Sequence, residues 1–272
     1  MLILIMNMLS KGFIMNKTTY PTLTFNNIFN YQFEFEKRPN APLTILYIHG
    51  LASNPWGKKP EAVKTLAQNL GFNFFRFELA GHGIDCHNYD ETDLEVWKQQ
   101  TLDIINNQID GDIILVGHCI GGWTSLLTAI SAPHRVKGVV CTSTSPNLYK
   151  LLMHLATKEQ KAELEANDKI TVGIERMSFT FTKRFMECAK ANDLTALSSI
   201  PLHCPIHLIQ GLQDTFIDWR IVLKLADKME SQSVQTKILK NTNHHIQKPA
   251  DLREINNSIC DIAKEIIPQL SF

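Results

Sequence analysis

Short continuous apolar runs alternate with stretches of helical spacing along the chain after residue 40. The runs predicted to be strands are Leu43 to Ile48, Asn73 to Glu78, Asp112 to Val116, Val136 to Thr142, Cys204 to Gln210 and Val234 to Leu239. Helical spacing appears in Glu61 to Leu70 and again in Asp251 to Ile267. Continuous apolar strands joined by amphipathic helices form parallel sheets that are covered on both faces. The pattern therefore predicts an α/β fold with a mostly parallel central sheet.

Two shorter patterns mark a sheet edge and a helix start. Leu23 to Glu36 alternates between apolar and polar residues, which is typical of an antiparallel hairpin with one solvated face. We expect this hairpin at one edge of the sheet. Thr92-Asp93-Leu94-Glu95 has the residue spacing of a capping box and predicts that a helix begins there.

Residues 147–200 interrupt the alternation, because they show helical spacing without a strong strand. The segment is rich in adaptable apolar side chains, among which we select Met153, Phe181 and Met186 as candidate substrate-binding residues. An insertion between two core strands lies near the strand ends at which α/β proteins bind ligands. We therefore predict a helical lid over an apolar pocket; ordinary packing of these helices on the sheet is the alternative.

The first residues do not have the form of a membrane span or a secretory signal. The apolar string Met1 to Met6 is too short to cross a bilayer, and it lacks a basic flank and a small-residue cleavage site. We expect residues 1–15 to be a disordered leader. Residues 16–272 are then predicted to form a single domain.

Composition narrows the class of protein further. The 27 Lys and Arg balance the 27 Asp and Glu, so the formal net charge is zero. The charge therefore does not favour binding to nucleic acid or to an anionic membrane surface. The 6 Cys are scattered without a Cys-x-x-Cys pair, which favours a reducing compartment over a disulfide framework. We predict a cytoplasmic protein without a stable membrane span, and the sequence leaves the oligomeric state open.

A glycine-rich turn follows the predicted strand Asp112 to Val116 and precedes the helical stretch Trp123 to Ile130. It reads Gly117-His118-Cys119-Ile120-Gly121-Gly122. A strand, a tight turn and a helix are the setting of a nucleophile elbow, in which glycines make room around a strained nucleophile. At a helix start, unpaired N–H groups and the helix dipole favour a thiolate. We therefore predict Cys119 as the nucleophile; a buried structural cysteine is the alternative.

A cysteine nucleophile needs a base, and the base needs an acid that orients it. In this setting the three residues follow one another in the order nucleophile, acid, base. His244 and His245 alone follow the last predicted strand, so the base is one of these two. Asp214 directly follows the preceding strand and is the predicted acid, whereas Asp218 is expected to start the next helix. As a metal site, the paired histidines lack further ligands at suitable spacing.

An oxyanion hole requires two backbone N–H groups. One is predicted to come from Ile120, which follows the nucleophile. The other is expected from the loop His49-Gly50-Leu51-Ala52, and we select Leu51 because the preceding glycine lets the loop turn back over the strand end. His49 and His82 are interpreted as structural residues.

With these motifs in place, the chain resembles the α/β-hydrolases from about its first buried strand to its end. The motifs are His49-Gly50-Leu51, Gly117-His118-Cys119-Ile120-Gly121, Gly211-Leu212-Gln213-Asp214 and Asn243-His244. Within that superfamily it is similar to the small acyl-protein thioesterases and acyl-glucuronide esterases of mitochondria and bacteria. The stretches that carry this similarity are Phe77 to Gly83, Ile114 to Trp123, Cys204 to Ile206 and His244 to Leu252.

The resemblance implies an α/β-hydrolase fold, a catalytic histidine at His244, and hydrolysis of carboxylic esters or thioesters without a cofactor or a metal. Members of that group have Ser at the elbow, whereas this chain has Cys119, as dienelactone hydrolases and polyhydroxyalkanoate synthases also do. A sulfur nucleophile forms an acyl-thioester intermediate, which favours thioesters, activated esters or lactones over plain alkyl esters. The alternatives are an acyltransferase that uses the same acyl-Cys intermediate and a catalytically inactive binding protein.

Overall fold

The structure is a computed structural model, and it describes residues 20–174 and 177–270. The predicted leader, residues 1–15, lies outside the described residues. The strands are β1 (Thr22–Phe25), β2 (Phe29–Glu36), β3 (Leu43–Ile48), β4 (Asn73–Phe77), β5 (Asp112–His118), β6 (Val136–Thr142), β7 (Lys169–Ile174), β8 (Met177–Thr182), β9 (Ile206–Gly211) and β10 (Val234–Leu239). The helices are α1 (Lys58–Leu70), α2 (Leu94–Asn107), α3 (Ile120–Ser131), α4 (Leu148–Leu155), α5 (Lys158–Asn167), α6 (Lys183–Ala191), α7 (Arg220–Lys228) and α8 (Pro249–Ile266).

The main sheet has the strand order β1-β2-β4-β3-β5-β6-β9-β10. From β4 to β10 all neighbouring strands run parallel, so the predicted parallel sheet is confirmed. β1 pairs antiparallel with β2, and β2 pairs antiparallel with β4. The hairpin expected at a sheet edge is therefore confirmed as well.

Helices cover both faces of the sheet, because alternate residues of each strand point to opposite faces. On one face α1 and α8 pack against the strands through residues such as Val63 and Ile259. On the other face α2, α3 and α7 do so through Trp97, Trp123 and Leu225. Within the part of the chain that the structure describes, no helix is both long and apolar enough to cross a membrane.

Helix α2 begins one residue later than the capping-box pattern predicts, because its N-cap is Asp93 rather than Thr92. The carboxylate of Asp93 accepts the N–H of Val96 at 2.9 Å and is the N-cap. The hydroxyl of Thr92 instead donates to the carbonyl of Tyr89 at 2.7 Å. Thr92 therefore ends the 3₁₀ segment Gly83–Glu91, and the adjacent acidic residue, which also suits the positive end of the helix dipole, starts the helix.

We call residues 147–200 the cap. The prediction that it contains helices without a strong strand is wrong for its middle part, where β7 and β8 form an antiparallel hairpin between α5 and α6. The reason is that burial alternates from one residue to the next along these strands, and the helical spacing on either side hides this short pattern. Ile170 and Val172 are buried on one side of β7, whereas Thr171 is more exposed, and Phe181 is buried on β8.

Candidate active site

The turn after β5 holds Cys119 in a strained backbone conformation. Its φ is 55° and its ψ is −116°, a region that residues with a Cβ rarely adopt. A Cβ on Gly117 would overlap the carbonyl oxygen of Gly121, and a Cβ on Gly121 would overlap the carbonyl oxygens of Ile48 and His49. The strained, glycine-flanked turn expected from the sequence is therefore confirmed.

Three side chains lie together beyond the carboxyl ends of β5, β9 and β10. The charges of Cys119 and His244 act on each other, which lowers the pKa of the thiol and raises that of the ring. The Nδ1 atom of His244 lies 2.9 Å from Oδ2 of Asp214. His245 is exposed, and its ring centroid is 6.0 Å from that of His244. The structure thus brings together the predicted nucleophile, the predicted acid and the first of the two candidate bases.

The carboxylate of Asp214 is fully buried and accepts hydrogen bonds on both oxygens. Oδ1 accepts the N–H groups of Phe216 and Ile217 at 2.8 and 2.9 Å. Oδ2 accepts from His244 and also from the side-chain amide of Gln210 at 2.7 Å. Burial favours the neutral acid, but the hydrogen bond and charge of His244 together with the two N–H groups lower the pKa of Asp214. Sequence reasoning missed Gln210, although a polar residue within the apolar strand β9 is the signal for it.

The electrostatics of the site favour a thiolate–imidazolium pair. Burial opposes ionisation of Cys119, but the charge and hydrogen bond of His244 outweigh it and lower the thiol pKa. The hydroxyl of Ser145, 3.9 Å from the sulfur, and the N–H of Ile120 act in the same direction. Burial also opposes the imidazolium of His244, yet the charges of Cys119 and Asp214 raise its pKa to about 10.

The loop after β3 lies directly beside the nucleophile. A Cβ on Gly50 would come within 3.3 Å of the Cβ of Cys119. Within the described residues, the N–H of Leu51 makes no hydrogen bond, so it is free to bind an oxyanion. The N–H of Ile120 helps to lower the pKa of the Cys119 thiol. Leu51 and Ile120 thus stay the predicted oxyanion donors.

Two buried histidines hold this loop in place, as their interpretation as structural residues requires. Nε2 of His82 accepts the N–H of Ala52 at 3.3 Å, and Ala52 itself has a φ of 48°. Nε2 of His49 accepts the N–H of Leu79 at 3.0 Å, while its Nδ1 donates to the carbonyl of Gly50. Burial lowers the pKa of His49 to about 3 and also lowers that of His82, so both rings are neutral acceptors.

The residues predicted to bind substrate pack into the body of the cap. Phe181 and Met186 are buried, with 1% and 4% of their surfaces exposed. The ring of Phe181 lies 4.9 Å from that of Phe185, which in turn contacts Trp97 of α2. Met153 on α4 is half-buried against the same core. These packing contacts join the cap to α2.

A different pair of aromatic residues connects the cap to His244. Phe216 stacks on the ring of His244, with centroids 4.9 Å apart and planes inclined by 24°. Phe179 of β8 meets Phe216 edge-on at 6.4 Å. Both phenylalanines are half-buried. Sequence analysis missed Phe216, for which the signal is an aromatic residue within the short loop that follows the acid.

This arrangement can perform nucleophilic acyl chemistry, since it combines a sulfur nucleophile, an oriented imidazole and two candidate oxyanion donors. Among the described residues, no group of His, Cys, Asp and Glu side chains could hold a metal ion.

Comparisons with known proteins agree with this fold. The α/β-hydrolase fold family matches residues 44–167. The structure of mouse alpha/beta hydrolase domain-containing protein 10 superposes with a TM-score of 0.82 at 27% identity, covering 92% of this chain and 100% of that one. Human mitochondrial palmitoyl-protein thioesterase ABHD10 is 27% identical over 229 residues, which are 82% of this chain and 73% of the relative. A hydrolase from Agrobacterium vitis superposes with a TM-score of 0.82 at 24% identity, covering 90% of this chain and 98% of that one. The chain therefore has the α/β-hydrolase fold and is similar to enzymes of that superfamily.

Proposed function

We propose that the protein hydrolyses acyl thioesters and activated carboxylic esters through an acyl-Cys intermediate on Cys119. The observation that carries the proposal is Cys119 at a strained elbow, where the charge of His244 lowers its thiol pKa and the ring of His244 is hydrogen-bonded to Asp214. The similarity to palmitoyl-protein thioesterases supports the hydrolase class and the thioester substrate. The residues in the site can carry out both half-reactions, namely formation of the acyl-enzyme and its hydrolysis.

In the first half-reaction, the Cys119 sulfur attacks the acyl carbonyl carbon and forms a tetrahedral adduct. The negative charge on the former carbonyl oxygen is stabilised by the N–H groups of Leu51 and Ile120. His244, as the imidazolium, gives its proton to the leaving thiol or alcohol as the adduct collapses. The product is an acyl thioester on Cys119.

In the second half-reaction, neutral His244 takes a proton from water, and the resulting hydroxide attacks the thioester carbonyl carbon. Collapse of this adduct breaks the carbon–sulfur bond, releases the carboxylic acid and restores the thiolate. Asp214 keeps the Nδ1 proton of His244 in place and stabilises the imidazolium in both halves. Because exchange of one thioester for another is nearly balanced in energy, a sulfur nucleophile suits thioesters better than plain alkyl esters.

The structure bears on only one part of the predicted location, namely that the compartment is reducing. All 6 cysteines are free, which agrees with a reducing compartment. The human relative is a mitochondrial protein, so the cytoplasmic location stays a prediction.

The test is to trap the acyl-enzyme. We expect a brief reaction with an acyl thioester, quenched in acid, to add the mass of one acyl group to the protein and to place that group on Cys119. Neutral hydroxylamine should remove the group, since it cleaves thioesters. Free acid should accumulate in the steady state.

Cys86 provides an internal control, because it is exposed and outside the proposed site. Acyl label on Cys86 with none on Cys119 would contradict the mechanism. Addition of an acceptor alcohol or thiol distinguishes the alternative: transfer of the acyl group at the expense of free acid would identify an acyltransferase.

The cap is proposed to line the acyl site, and chain length tests this. Each methylene buried there contributes roughly 0.8 kcal/mol, so kcat/KM should rise about fourfold per methylene until the site is full. Because Phe181 and Met186 are core residues of the cap, Phe179 is the better position to change. Phe179→Ala should lower kcat/KM for octanoyl substrates more than for acetyl substrates.

Phe35→Ala is the matched control, since Phe35 is half-buried on β2, which β4 and β3 separate from β5. It should leave the ratio of octanoyl to acetyl kcat/KM unchanged. An equal loss for both chain lengths in Phe179→Ala would show that the cap contributes only to stability.

A further inference from the structure

A buried lysine lies under the loop that carries the catalytic histidine. Lys59 is in the first turn of α1, and 6% of its surface is exposed. Its ammonium group donates a hydrogen bond to the main-chain carbonyl of His245, the residue after His244. The neighbouring Lys58 is exposed. Of two adjacent lysines in the same helix turn, Lys59 is thus buried and Lys58 is in solvent.

The position is unfavourable for an ammonium group. Burial penalises the charged form and lowers the pKa of Lys59 to about 8, while the negative charges of Cys119 and Asp251 act against this lowering. The first turn of a helix also repels cations, because the helix dipole is positive there. A single main-chain hydrogen bond offsets only a part of these costs.

The groups that act on the ammonium come from several elements. The carbonyl of His245, in the loop after β10, accepts its hydrogen bond, and its charge interacts with those of His118 at the end of β5, Cys119 before α3 and Asp251 on α8. Burial and the nearby positive charges hold the pKa of His118 well below its usual range, so this ring is neutral. Its hydrogen bond to the hydroxyl of Thr142 fixes it in place.

Asp251 has other partners for its carboxylate. Oδ1 accepts the hydroxyl of Thr242 at 2.6 Å, and Oδ2 accepts the N–H of Lys248 at 3.0 Å at the start of α8. The other negative charge that acts on Lys59 is that of the Cys119 thiolate. On its other sides, Cys119 meets His244 and the hydroxyl of Ser145.

We propose that Lys59 is a positioning residue of this site, whose ammonium group fixes the His244-His245 loop through the His245 carbonyl and whose positive charge favours the thiolate of Cys119. For its effect on turnover, this inference rests on the proposed function. The ionisation of Cys119 can be measured without any substrate, so failure of one does not imply failure of the other.

The experiment compares the pH dependence of Cys119 alkylation by iodoacetamide in three variants. Lys59→Met removes the charge and the donor, Lys59→Gln removes the charge but keeps an N–H donor, and Lys58→Met is the matched control. The rate constant for the peptide that contains Cys119 is measured by mass spectrometry between about pH 5 and pH 9. Circular dichroism and thermal unfolding check the fold of each variant.

Removal of a positive charge disfavours the thiolate, so the midpoint of alkylation should move upward by about one pH unit in both Lys59 variants. Below the midpoints the rate should then fall about tenfold, and above them it should recover. Lys58→Met should keep the wild-type midpoint. Thioester turnover should show the same pattern, with a larger loss in Lys59→Met because its loop also loses the hydrogen bond.

A residue that only supports the fold would change the melting temperature without moving the midpoint. Wild-type midpoints in Lys59→Gln would therefore overturn the charge part of the proposal. Wild-type midpoints and turnover in both Lys59 variants would overturn all of it. If Lys59→Met fails to fold, Lys59→Gln gives the same decision on the charge, because it can still donate to His245.

Discussion

Alanine in place of Cys119 will lower kcat/KM for an acyl thioester by roughly 10³-fold or more, because the nucleophile and its base act as a unit. Without the sulfur no acyl-enzyme can form, and the residual rate comes from direct attack by water with oxyanion stabilisation alone. Alanine keeps the Cβ in the same strained turn, so we expect the fold to persist. Steady-state hydrolysis and circular dichroism measure the two effects.

The companion variants make this prediction specific. Cys260→Ala, at a half-buried cysteine on α8, should retain wild-type kcat/KM. Cys119→Ser should fold as the wild type and shift preference toward oxygen esters, since its acyl-enzyme is an ester rather than a thioester. Near wild-type turnover in Cys119→Ala would show that another group performs the attack.

The parallel sheet is the part of the fold that the sequence predicts best. Leu43–Ile48 and Val136–Thr142 have the same bounds in the sequence analysis and in the structure. The physical reason is that a strand buried on both faces must be apolar at every position, which leaves an uninterrupted run. The β7–β8 hairpin was missed because only one face of each strand is buried, and a short period of two resembles the helical spacing around it.

Within the candidate site, the motif residues could be predicted from the sequence. The residues that hold the motif loops in place could not. Cys119, Asp214 and His244 each follow a strong strand, so their order along the chain indicates that they meet. Lys59 donates to a carbonyl 186 residues away, and nothing in its local sequence distinguishes it from the exposed Lys58. The contacts of such residues are set by the tertiary fold, which brings α1 against the loop after β10.

Alanine in place of His244 will also lower kcat/KM by roughly 10³-fold or more, whereas His245→Ala should stay within about a few-fold of the wild type. The ring of His244 is hydrogen-bonded to Asp214, and its charge interacts with that of Cys119, so it is placed to take up the proton. The side chain of His245 is exposed, and its contact with Lys59 uses the main-chain carbonyl, which alanine retains. Steady-state hydrolysis of one thioester by both variants is the measurement.

The pH dependence of Cys119 alkylation separates loss of the base from loss of the fold. In the wild type the imidazolium of His244 lowers the thiol pKa, so the rate rises with pH below the usual range of a thiol. In His244→Ala that charge is gone while burial still opposes the thiolate, so the rise must move to higher pH. His245→Ala should keep the wild-type profile. Loss of turnover and an upward shift in His245→Ala, with an active His244→Ala, would instead assign the base to His245 and leave Cys119 and Asp214 in their roles.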